Sequence, residues 1–300
     1  YPLRRQRQMC IRDRYPDNGP LWFNFSELRL QCRDPDAALE AVENARRLLP
    51  GDVAVTAQHM RVLSILERFD EARASLREGM ELSPRGVEQA LRPRSSAAQH
   101  DDYVVPPIDV RGAFVEYHFG WLRQEDWQDY DELRERMLGY IREALDEGVA
   151  IVSPNTPAYL SCDEPGLEYR LAVRYAEHFA ERVTATYGHE PDGRENGRIR
   201  IGFASPAFGH YAVDHVSRDL YRLLDRDRFE VFGYSLSRRD DHWHEGIEAL
   251  FDRFRDLSDV NNEAAAARIH EDGLDMLVDL YGYGPEQRPE IFARLSLIHI

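Results

Sequence analysis

RIRIGFASPAFGHYAVDH, residues Arg198 to His215, predicts a strand, a turn and the start of a helix. Its first seven residues are rich in Ile, Phe and Ala, which indicates a buried strand that ends at Ala204. Pro206 and Gly209 then break the chain. Apolar residues recur after the break at i, i+4, i+7 and i+8, the spacing of one helix face: Val216, Leu220, Leu223 and Leu224.

Strands and helices alternate from this stretch onward. The predicted strands are Arg198–Ala204, Phe229–Leu236 and Leu274–Leu280, with a short one near Arg255–Leu257. The predicted helices are Asp214–Leu224, Asp241–Phe254 and Asn262–Asp272. Asp214 is placed to cap the first helix, and Gly273 to end the last. Such alternation predicts a parallel, Rossmann-like sheet, and we assign residues 198–295 to this α/β lobe.

Two turns of the predicted lobe should lie side by side. Parallel strands end at the same edge of a sheet, so the turn after Ala204 and the turn after Leu280 open together. The first turn carries His210 and His215, and the second has the sequence YGYG, Tyr281–Gly284. Strand-to-helix turns at this edge bind ligands, particularly anions. The sequence therefore predicts a ligand-binding or catalytic site here.

Four features of this edge are candidates for chemistry. His210 and His215 could deprotonate a hydroxyl or donate a hydrogen bond to an anion, although a capping or packed histidine is the alternative for each. Neither a carboxylate nor a Cys accompanies them at ligand spacing, so we predict no metal. The glycines of YGYG permit close approach of the backbone to a ligand, or simply tight turns. Arg288 is a candidate partner for a carboxylate or phosphate, and a solvated surface arginine is the alternative.

The first part of the chain contains an internal repeat. DAALEAVENARRLLP, which ends at Pro50, aligns with DEARASLREGMELSP, which ends at Pro84. The spacing of the two prolines matches the tetratricopeptide repeat, in which small alanines let two helices approach closely. We assign residues 15–91 to such repeats, which hold protein or peptide partners on a concave face. A plain helical hairpin is the alternative.

A linker and a helical connector lie between the repeats and the lobe. Residues 92–108 are polar and contain a double proline, which predicts a linker. Residues 109–197 form the predicted connector, with helices over Arg111–Leu145 and Glu164–Thr184. The apolar residues that predict these helices are Trp127, Tyr130, Leu133, Met137, Tyr140, Ile141 and Leu145, then Leu167, Leu171, Val173 and Tyr175.

The composition argues against several classes of partner. A net charge of −16 repels nucleic-acid phosphates. Cys10, Cys32 and Cys162 are far apart and form no CxxC, which favours a reduced cytosolic setting. The sequence contains no apolar run approaching the roughly 18 residues of a membrane span. We therefore expect a cytoplasmic protein with neither a nucleic acid nor a membrane as partner.

Both ends of the chain have an unusual sequence. RQRQMCIRDR at Arg5–Arg14 and SLIHI at Ser296–Ile300 resemble translated sequencing-adapter sequence. We therefore expect residues 1–14 and 296–300 to be foreign tails, and the natural chain to be truncated on both sides. Ordinary frayed tails are the alternative.

The order of parts resembles that of bacterial O-linked N-acetylglucosamine transferases. The resemblance rests on the repeats, the connector, and then RIRIGFASPAFGHYAVDH, RFEVFGYSLSRRDD and LDMLVDLYGYGPEQRPEIFA. It covers most of Trp22–Leu295 and is most specific in residues 198–295. It implies a GT-B glycosyltransferase, of which this chain holds the repeats and the N-terminal Rossmann-like lobe.

The activity implied by this resemblance is an inverting, metal-independent transfer of GlcNAc from UDP-GlcNAc to Ser or Thr hydroxyls of proteins, without a cofactor. The repeats would present the acceptor protein, and the active site would lie in the cleft between two lobes. His215, with either His210 or Tyr211, would line the acceptor or sugar side of that cleft. The residues expected to approach the substrate are Gly209, Gly282, Tyr283, Gly284 and Arg288.

The chain departs from the family pattern in two places. Family members usually carry two histidines four apart in this turn, whereas Tyr211 takes the first position here and His210 comes one residue early. The chain also ends before the second lobe, which holds most of the uridine and diphosphate contacts in the family. We therefore expect the fragment to be inactive alone, and a non-catalytic tetratricopeptide scaffold is the alternative function.

Overall fold

The computed structural model describes residues 16–91, 109–123, 127, 129–158, 160, 164–188, 197–208, 212–237, 246–284, 286–295 and 298–299. These residues form two compact units. Of the described residues, the first unit holds 16–91, 109–152 and 160, and the second holds 153–158 and 164–299.

The first unit begins with four helices that repeat in register. They are α1 (Gly19–Gln31), α2 (Pro35–Leu48), α3 (Val53–Ile65) and α4 (Phe69–Leu82). The offset from the start of α1 to the start of α3 equals that from α2 to α4, and both equal the spacing of the two repeat prolines. The caps repeat too, since the Asn18 side chain accepts from a backbone N–H of α1 and the Asp52 side chain does so in α3. The predicted period is therefore present in the helix boundaries.

Small residues allow consecutive helices of this unit to pack closely. Helix α2 contacts both α1 and α3, and Ala38, Ala41 and Ala45 on its buried face are fully enclosed. Helix α3 also contacts α4, α5 (Pro84–Leu91) and α6 (Val110–Leu122). Nearly every side chain of α3 is buried as a result. Its surface is therefore occupied by helices of its own unit.

The helix predicted over Arg111–Leu145 is two helices in the structure. Helix α6 ends at Leu122, and α7 runs over Tyr130–Asp146 after Asp129, which has a left-handed φ of 56°. Trp127 lies between them and is 60% exposed, so its inclusion in the apolar stripe was wrong. Further along the stripe, Met137 and Ile141 are buried as predicted.

His59 of α3 is held in its neutral form. Its Nδ1 lies 3.1 Å from Arg46 Nη1 and 3.1 Å from the Ser75 hydroxyl. A guanidinium can only donate, so this ring nitrogen must accept. Burial, together with the positive charges of Arg46 and Arg68, lowers the pKa of His59 from 6.5 to about 4, against the weaker opposing effect of Glu71.

We expect the first unit to lose stability as the pH falls from 6.5 toward 4. In this range the unfolded chain binds a proton on His59 and the folded chain does not, so the stabilisation present above pH 6.5 is lost progressively, by on the order of 2 kcal/mol near pH 4.5. Urea titrations at pH 7 and at about pH 4.5 measure this loss. A His59→Gln chain keeps an acceptor for Arg46 without titrating, and it should lose less. Equal losses in the two chains would contradict the assignment.

The second unit is built on a parallel sheet. Its strands are β1 (Ile199–Ser205), β2 (Phe229–Ser235), β3 (Arg253–Asp256), β4 (Met276–Asp279) and β5 (Ile298–His299), in the order β3-β2-β1-β4-β5. Its helices are α8 (Asn155–Ala158), α9 (Pro165–Ala180), α10 (Ala212–Leu223), α11 (Asn262–Glu271) and α12 (Pro289–Ala293). Every pairing between neighbouring strands is parallel, as the alternating pattern predicted.

Helices pack on both faces of the sheet. One face carries α11 and α12, with Ala204, Leu277 and Ile291 among its buried residues. The other face carries α10 and the segment before β3, with Phe203, Tyr221 and Phe251 among its buried residues. Helix α9, predicted as part of the connector, contacts α12 and belongs to this unit. The region assigned to the connector is therefore divided between the two units.

The helix predicted over Asp241–Phe254 is wrong in its described part. Residues 241–245 lie outside the described residues, Gly246 has a φ of 90°, and only a single 3-10 turn follows at Glu248–Leu250. Phe254 belongs to β3, which pairs with β2. The aromatic rings of Phe251 and Phe254 pack over Gly233 of β2, where a side chain would collide with them. Sheet pairing and ring packing thus outweigh the helical spacing of these residues.

Helix α10 differs from its prediction at its start and in its orientation. It begins at Ala212, so Asp214 lies within the first turn and is not the cap. Tyr221 faces the sheet and is fully buried, whereas Val216 and Leu223 are 80% and 74% exposed. The helical spacing was right, but of the four predicted residues only Leu224 packs against the core on this side of the sheet. Val216, Leu220 and Leu223 are exposed.

Candidate functional site

The turns after β1 and β4 open at neighbouring points of one sheet edge. The two strands are adjacent, with Phe203 opposite Val278 and Ala204 opposite Asp279. The pairing continues for one more residue, since the Leu280 N–H donates to the Ala204 carbonyl at 3.1 Å. The prediction that these turns lie side by side is therefore confirmed. We call this region the β1–β4 edge.

The first turn is anchored by a buried hydroxyl and a buried ring. The Ser205 Oγ accepts from the Ala207 N–H at 2.9 Å. Phe208 is buried against the rings of Phe251 and Phe254, at centroid distances of 5.7 and 5.6 Å. These contacts fix Ala207 and Phe208 at the carboxyl end of β1.

The structure describes only one of the two histidines predicted in this turn, His215. Gly209, His210 and Tyr211 lie outside the described residues. His215 lies in the first turn of α10, and its side chain is exposed. The start of α10, the helix that follows β1, therefore carries an exposed imidazole. The role of this group in chemistry stays a prediction.

The second turn, at YGYG, is shaped by Asp279. One carboxylate oxygen of Asp279 accepts from the backbone N–H of Tyr281 at 2.9 Å and from that of Gly282 at 3.0 Å. Gly282 adopts a left-handed φ of 57°, which a side chain would strain. A Cβ at Gly284 would collide with the ring of Tyr281, so that ring would have to move to admit a side chain there. Gly282 is thus required by the shape of the turn, whether or not a ligand approaches it.

Tyr283 contacts two residues that come earlier in the chain, Tyr175 and Ser153. Its ring makes an edge-to-face contact with Tyr175 of α9 at 5.6 Å, and its carbonyl accepts from the Ser153 hydroxyl at 3.0 Å. The side chain remains 39% exposed. Burial of the rest, with the nearby Asp279 charge, raises the pKa of Tyr283. Its hydroxyl is therefore protonated at neutral pH and able to donate a hydrogen bond.

Arg288 lies below the edge and is fully buried. Its guanidinium donates to the Asn262 Oδ1 at 2.6 Å, to the Leu257 carbonyl at 2.8 Å and to the Val260 carbonyl at 2.6 Å. A longer contact of 3.5 Å reaches the Leu236 carbonyl. One side chain thus ties the segments after β2, β3 and β4 together. These contacts count against the alternative of a solvated arginine, and they occupy the donors expected to hold an anion.

Sequence inspection missed several residues that shape this edge. Asp279 had a recognisable signal, because an aspartate at the end of a strand and shortly before a glycine is typical of a side-chain-closed turn. Ser153 and Tyr175 had none, since each lies in a distant part of the sequence from Tyr283. Only the tertiary structure brings such residues together.

Within the part of the chain that the structure describes, no group of three or more His, Cys, Asp or Glu residues is placed to hold a metal ion. Among the same residues, the helices are all too short or too polar to cross a bilayer.

Comparisons with known proteins agree on one family. The model of glycosyl transferase family 41 matches residues 125–297. An Arabidopsis thaliana protein named "Probable UDP-N-acetylglucosamine--peptide N-acetylglucosaminyltransferase SEC" is 29% identical over 177 residues, which is 56% of this chain and 18% of that protein. The Caenorhabditis elegans UDP-N-acetylglucosamine–peptide N-acetylglucosaminyltransferase is 28% identical over 179 residues, 56% of this chain and 16% of that protein.

Among solved structures, a mutant of the Thermobaculum terrenum O-GlcNAc transferase is similar to this chain with a TM-score of 0.44 and 19% identity. That similarity covers 96% of this chain and 44% of the other. The chain spans less than a fifth of the length of each of the two curated relatives, the Arabidopsis and Caenorhabditis proteins.

Proposed function

We propose, from the premise that this chain belongs to glycosyl transferase family 41, that it is part of an enzyme which transfers GlcNAc from UDP-GlcNAc to Ser or Thr hydroxyls of proteins. The family match carries the proposal, and the names of the two curated relatives describe the same transfer to peptides. The β1–β4 edge supports it further, because open α/β sheets bind ligands at the carboxyl ends of their strands.

We assign the parts of the chain to roles in that reaction. The repeating helices of the first unit are proposed to be tetratricopeptide repeats that bind acceptor proteins. Because α3 is enclosed, acceptors would contact other helices of the array. The parallel sheet is proposed to be the N-terminal Rossmann-like lobe of a GT-B enzyme. The second lobe would bind most of the nucleotide, so the 300-residue chain alone should not catalyse transfer.

The chemistry proposed for the β1–β4 edge is proton handling at the acceptor. In an inverting transfer, the Ser or Thr oxygen forms a bond to the sugar carbon while the bond from that carbon to UDP breaks, and the hydroxyl proton leaves. An imidazole at His215, with His210 or Tyr211, would line this side of the sugar. The turn at Gly282 and Gly284 would approach the substrate through its backbone, and the neutral Tyr283 hydroxyl could donate to a sugar oxygen.

The diphosphate must be stabilised elsewhere if no metal takes part. Such stabilisation needs helix N-termini and cationic side chains aimed at the departing charge. Arg288, predicted as a candidate partner for a carboxylate or phosphate, already donates to protein acceptors. This arrangement supports a diphosphate site in the second lobe.

Replacing His215 by alanine should lower transfer by about 100-fold or more, the usual contribution of a positioned acid or base. The assay uses the chain extended by the coding sequence that follows residue 295 in its source DNA, with UDP-GlcNAc, a protein acceptor and mass spectrometry of the product. His270→Ala is the matched control, because His270 is exposed at the far end of α11. It should leave transfer unchanged.

Two results would reject the proposal in different ways. Unchanged transfer by the His215→Ala enzyme would remove the role given to this imidazole while leaving the family activity intact. A source gene that stops near Leu295, or an extended protein without transfer, would favour a non-catalytic repeat scaffold. The scaffold function is retained as an alternative because this chain has Tyr211 at a position where the family usually has histidine.

A further inference from the structure

Tyr283 lies between two glycines, Gly282 and Gly284, which restrict the backbone least of all residues. The turn around it is closed by the Asp279 carboxylate and by a hydrogen bond from the Gly284 N–H to the Tyr281 carbonyl at 3.2 Å. None of these bonds is made by a group of Tyr283 itself. Its position therefore depends on its contacts with other parts of the chain.

The Ser153 hydroxyl restrains the backbone of Tyr283. Its oxygen accepts from the Asn155 N–H at 3.3 Å, and it lies 3.0 Å from the Tyr283 carbonyl oxygen. A serine hydroxyl has one proton and a carbonyl can only accept, so this proton is directed at Tyr283. The two bonds give the hydroxyl a defined direction and tie Tyr283 to the start of α8.

The ring of Tyr175 restrains the side chain of Tyr283. The two rings meet at 88° with their centroids 5.6 Å apart, an edge-to-face arrangement that aromatic pairs prefer. Tyr175 is itself buried, and it packs against the buried ring of Phe179, one turn further along α9, at 4.9 Å. Helix α9 in turn contacts α12. Tyr283 thus rests on a side chain that belongs to the packed interior of the second unit.

Both contacts leave Tyr283 partly open to solvent. Its side chain remains 39% exposed, although its backbone and its ring are each restrained by another residue. A tyrosine side chain has only two χ angles, so two restraints leave it little freedom. A side chain that is restrained and still exposed is suited to bind a ligand, because little conformational entropy remains to be lost on binding.

We propose that Tyr175 and Ser153 are positioning residues of the transfer reaction, which hold Tyr283 where its hydroxyl donates to the sugar. Neither residue touches the substrate in this scheme, and both act through Tyr283. The inference rests on the proposed function, since it concerns the same β1–β4 edge. It also makes α9, which the sequence assigned to the connector, part of the structure that supports the reaction.

NMR spectra of the 300-residue chain test the positioning without an assay of transfer. The tyrosine rings are labelled with carbon-13, and the signal of Tyr283 is the one that disappears in Tyr283→Phe. Tyr175→Leu should shift this signal because it removes the contacting ring. Ser153→Ala removes no ring, so a shift in that chain shows that the hydroxyl sets the position of Tyr283, and Ser153→Thr should restore the signal. Tyr169→Leu is the matched control, since it makes the same change at a 72% exposed residue of α9, and it should leave the signal in place.

Kinetics of the extended chain test the consequence for transfer. Tyr283→Phe should lower kcat/KM about tenfold, the effect of losing one hydrogen bond to the substrate. Tyr175→Leu and Ser153→Ala should each lower it about three- to tenfold, whereas Tyr175→Phe should keep the parent value because the edge contact needs only the ring. In the Tyr283→Phe background, Tyr175→Leu and Ser153→Ala should each cause less than about a twofold further loss, since no hydroxyl remains to be positioned. A merely structural role would give losses that multiply.

Three results would overturn the inference. The first is a Tyr283 signal that keeps its position in both Tyr175→Leu and Ser153→Ala. The second is unchanged transfer by Tyr283→Phe, and the third is a loss in Tyr175→Leu that persists undiminished in the Tyr283→Phe background. An extended parent chain without transfer would reject the proposed function instead, and the spectra would still decide whether Tyr175 and Ser153 position Tyr283.

Discussion

Replacing Arg288 by methionine should lower the free energy of unfolding of the second unit by about 3 kcal/mol or more, because three buried acceptors would each lose a hydrogen bond that costs about 1 to 3 kcal/mol to leave unmade. Methionine fills much of the same volume but has no donors, so the carbonyls of Leu257 and Val260 and the Asn262 Oδ1 would lose charged hydrogen bonds inside the protein. These acceptors lie in segments that leave β3 and enter α11. We therefore expect the carboxyl edge of the sheet to open before the rest of the unit.

Amide hydrogen exchange in increasing urea measures this effect unit by unit. Peptides from β1 and β4 should exchange at lower urea in the Arg288→Met chain, whereas peptides from α2 and α3 should be unchanged. Arg222→Met is the matched control, because Arg222 is 65% exposed and its contact at 2.9 Å is with the exposed Asp219. It should change stability by less than about 0.5 kcal/mol. Similar effects of the two substitutions would show that the contacts of Arg288 do not hold the edge together.

Gly112→Ala should destabilise the first unit by about 3 kcal/mol, whereas Gly120→Ala in the same helix should not. A Cβ at Gly112 would collide with the carbonyl oxygen of Ile151 and lie 3.2 Å from its Cβ. Because the obstacle is backbone, no side-chain rotation relieves the overlap, and α6 or residue 151 must move. At Gly120 a Cβ meets nothing within 4 Å. There alanine should stabilise the helix by up to about 1 kcal/mol.

Urea unfolding of the two variants checks this pair. The expected shifts in midpoint have opposite signs, and each single substitution adds the same methyl group to α6. A loss of stability in both, or in neither, would show that the approach of α6 to Ile151 is looser than the structure indicates.

The repeat of the first unit was predictable because its determinants are local. Caps at Asn18 and Asp52 and alanines at helix spacing act within one or two turns of the chain. That the turns after β1 and β4 lie next to each other was predictable for a different reason. Alternating strands and helices leave few topologies, and in a parallel sheet all carboxyl ends share one edge.

The role of Arg288 could not be predicted from sequence. An arginine before a short apolar helix looks like a surface residue, and its acceptors come from separate segments of the chain, the most distant at Leu236. The charge of Arg288 can be buried only because several carbonyl oxygens accept hydrogen bonds from its guanidinium. That convergence is a property of the folded chain.

The exposed stripe of α10 shows the same limit. The sequence alone determined that Val216, Leu220 and Leu223 are apolar and share one helix face, that the helices of the first unit recur at a fixed period, and that the strands of the second unit run parallel. Only the tertiary structure decided that Tyr221 packs on the sheet in place of that stripe, that Phe254 joins a strand, and that Tyr175 supports Tyr283. The spacing of apolar residues along a helix is a property of the local sequence. Which side of that helix becomes buried depends on the surfaces that distant parts of the chain bring to it, and close packing throughout the unit decides between them.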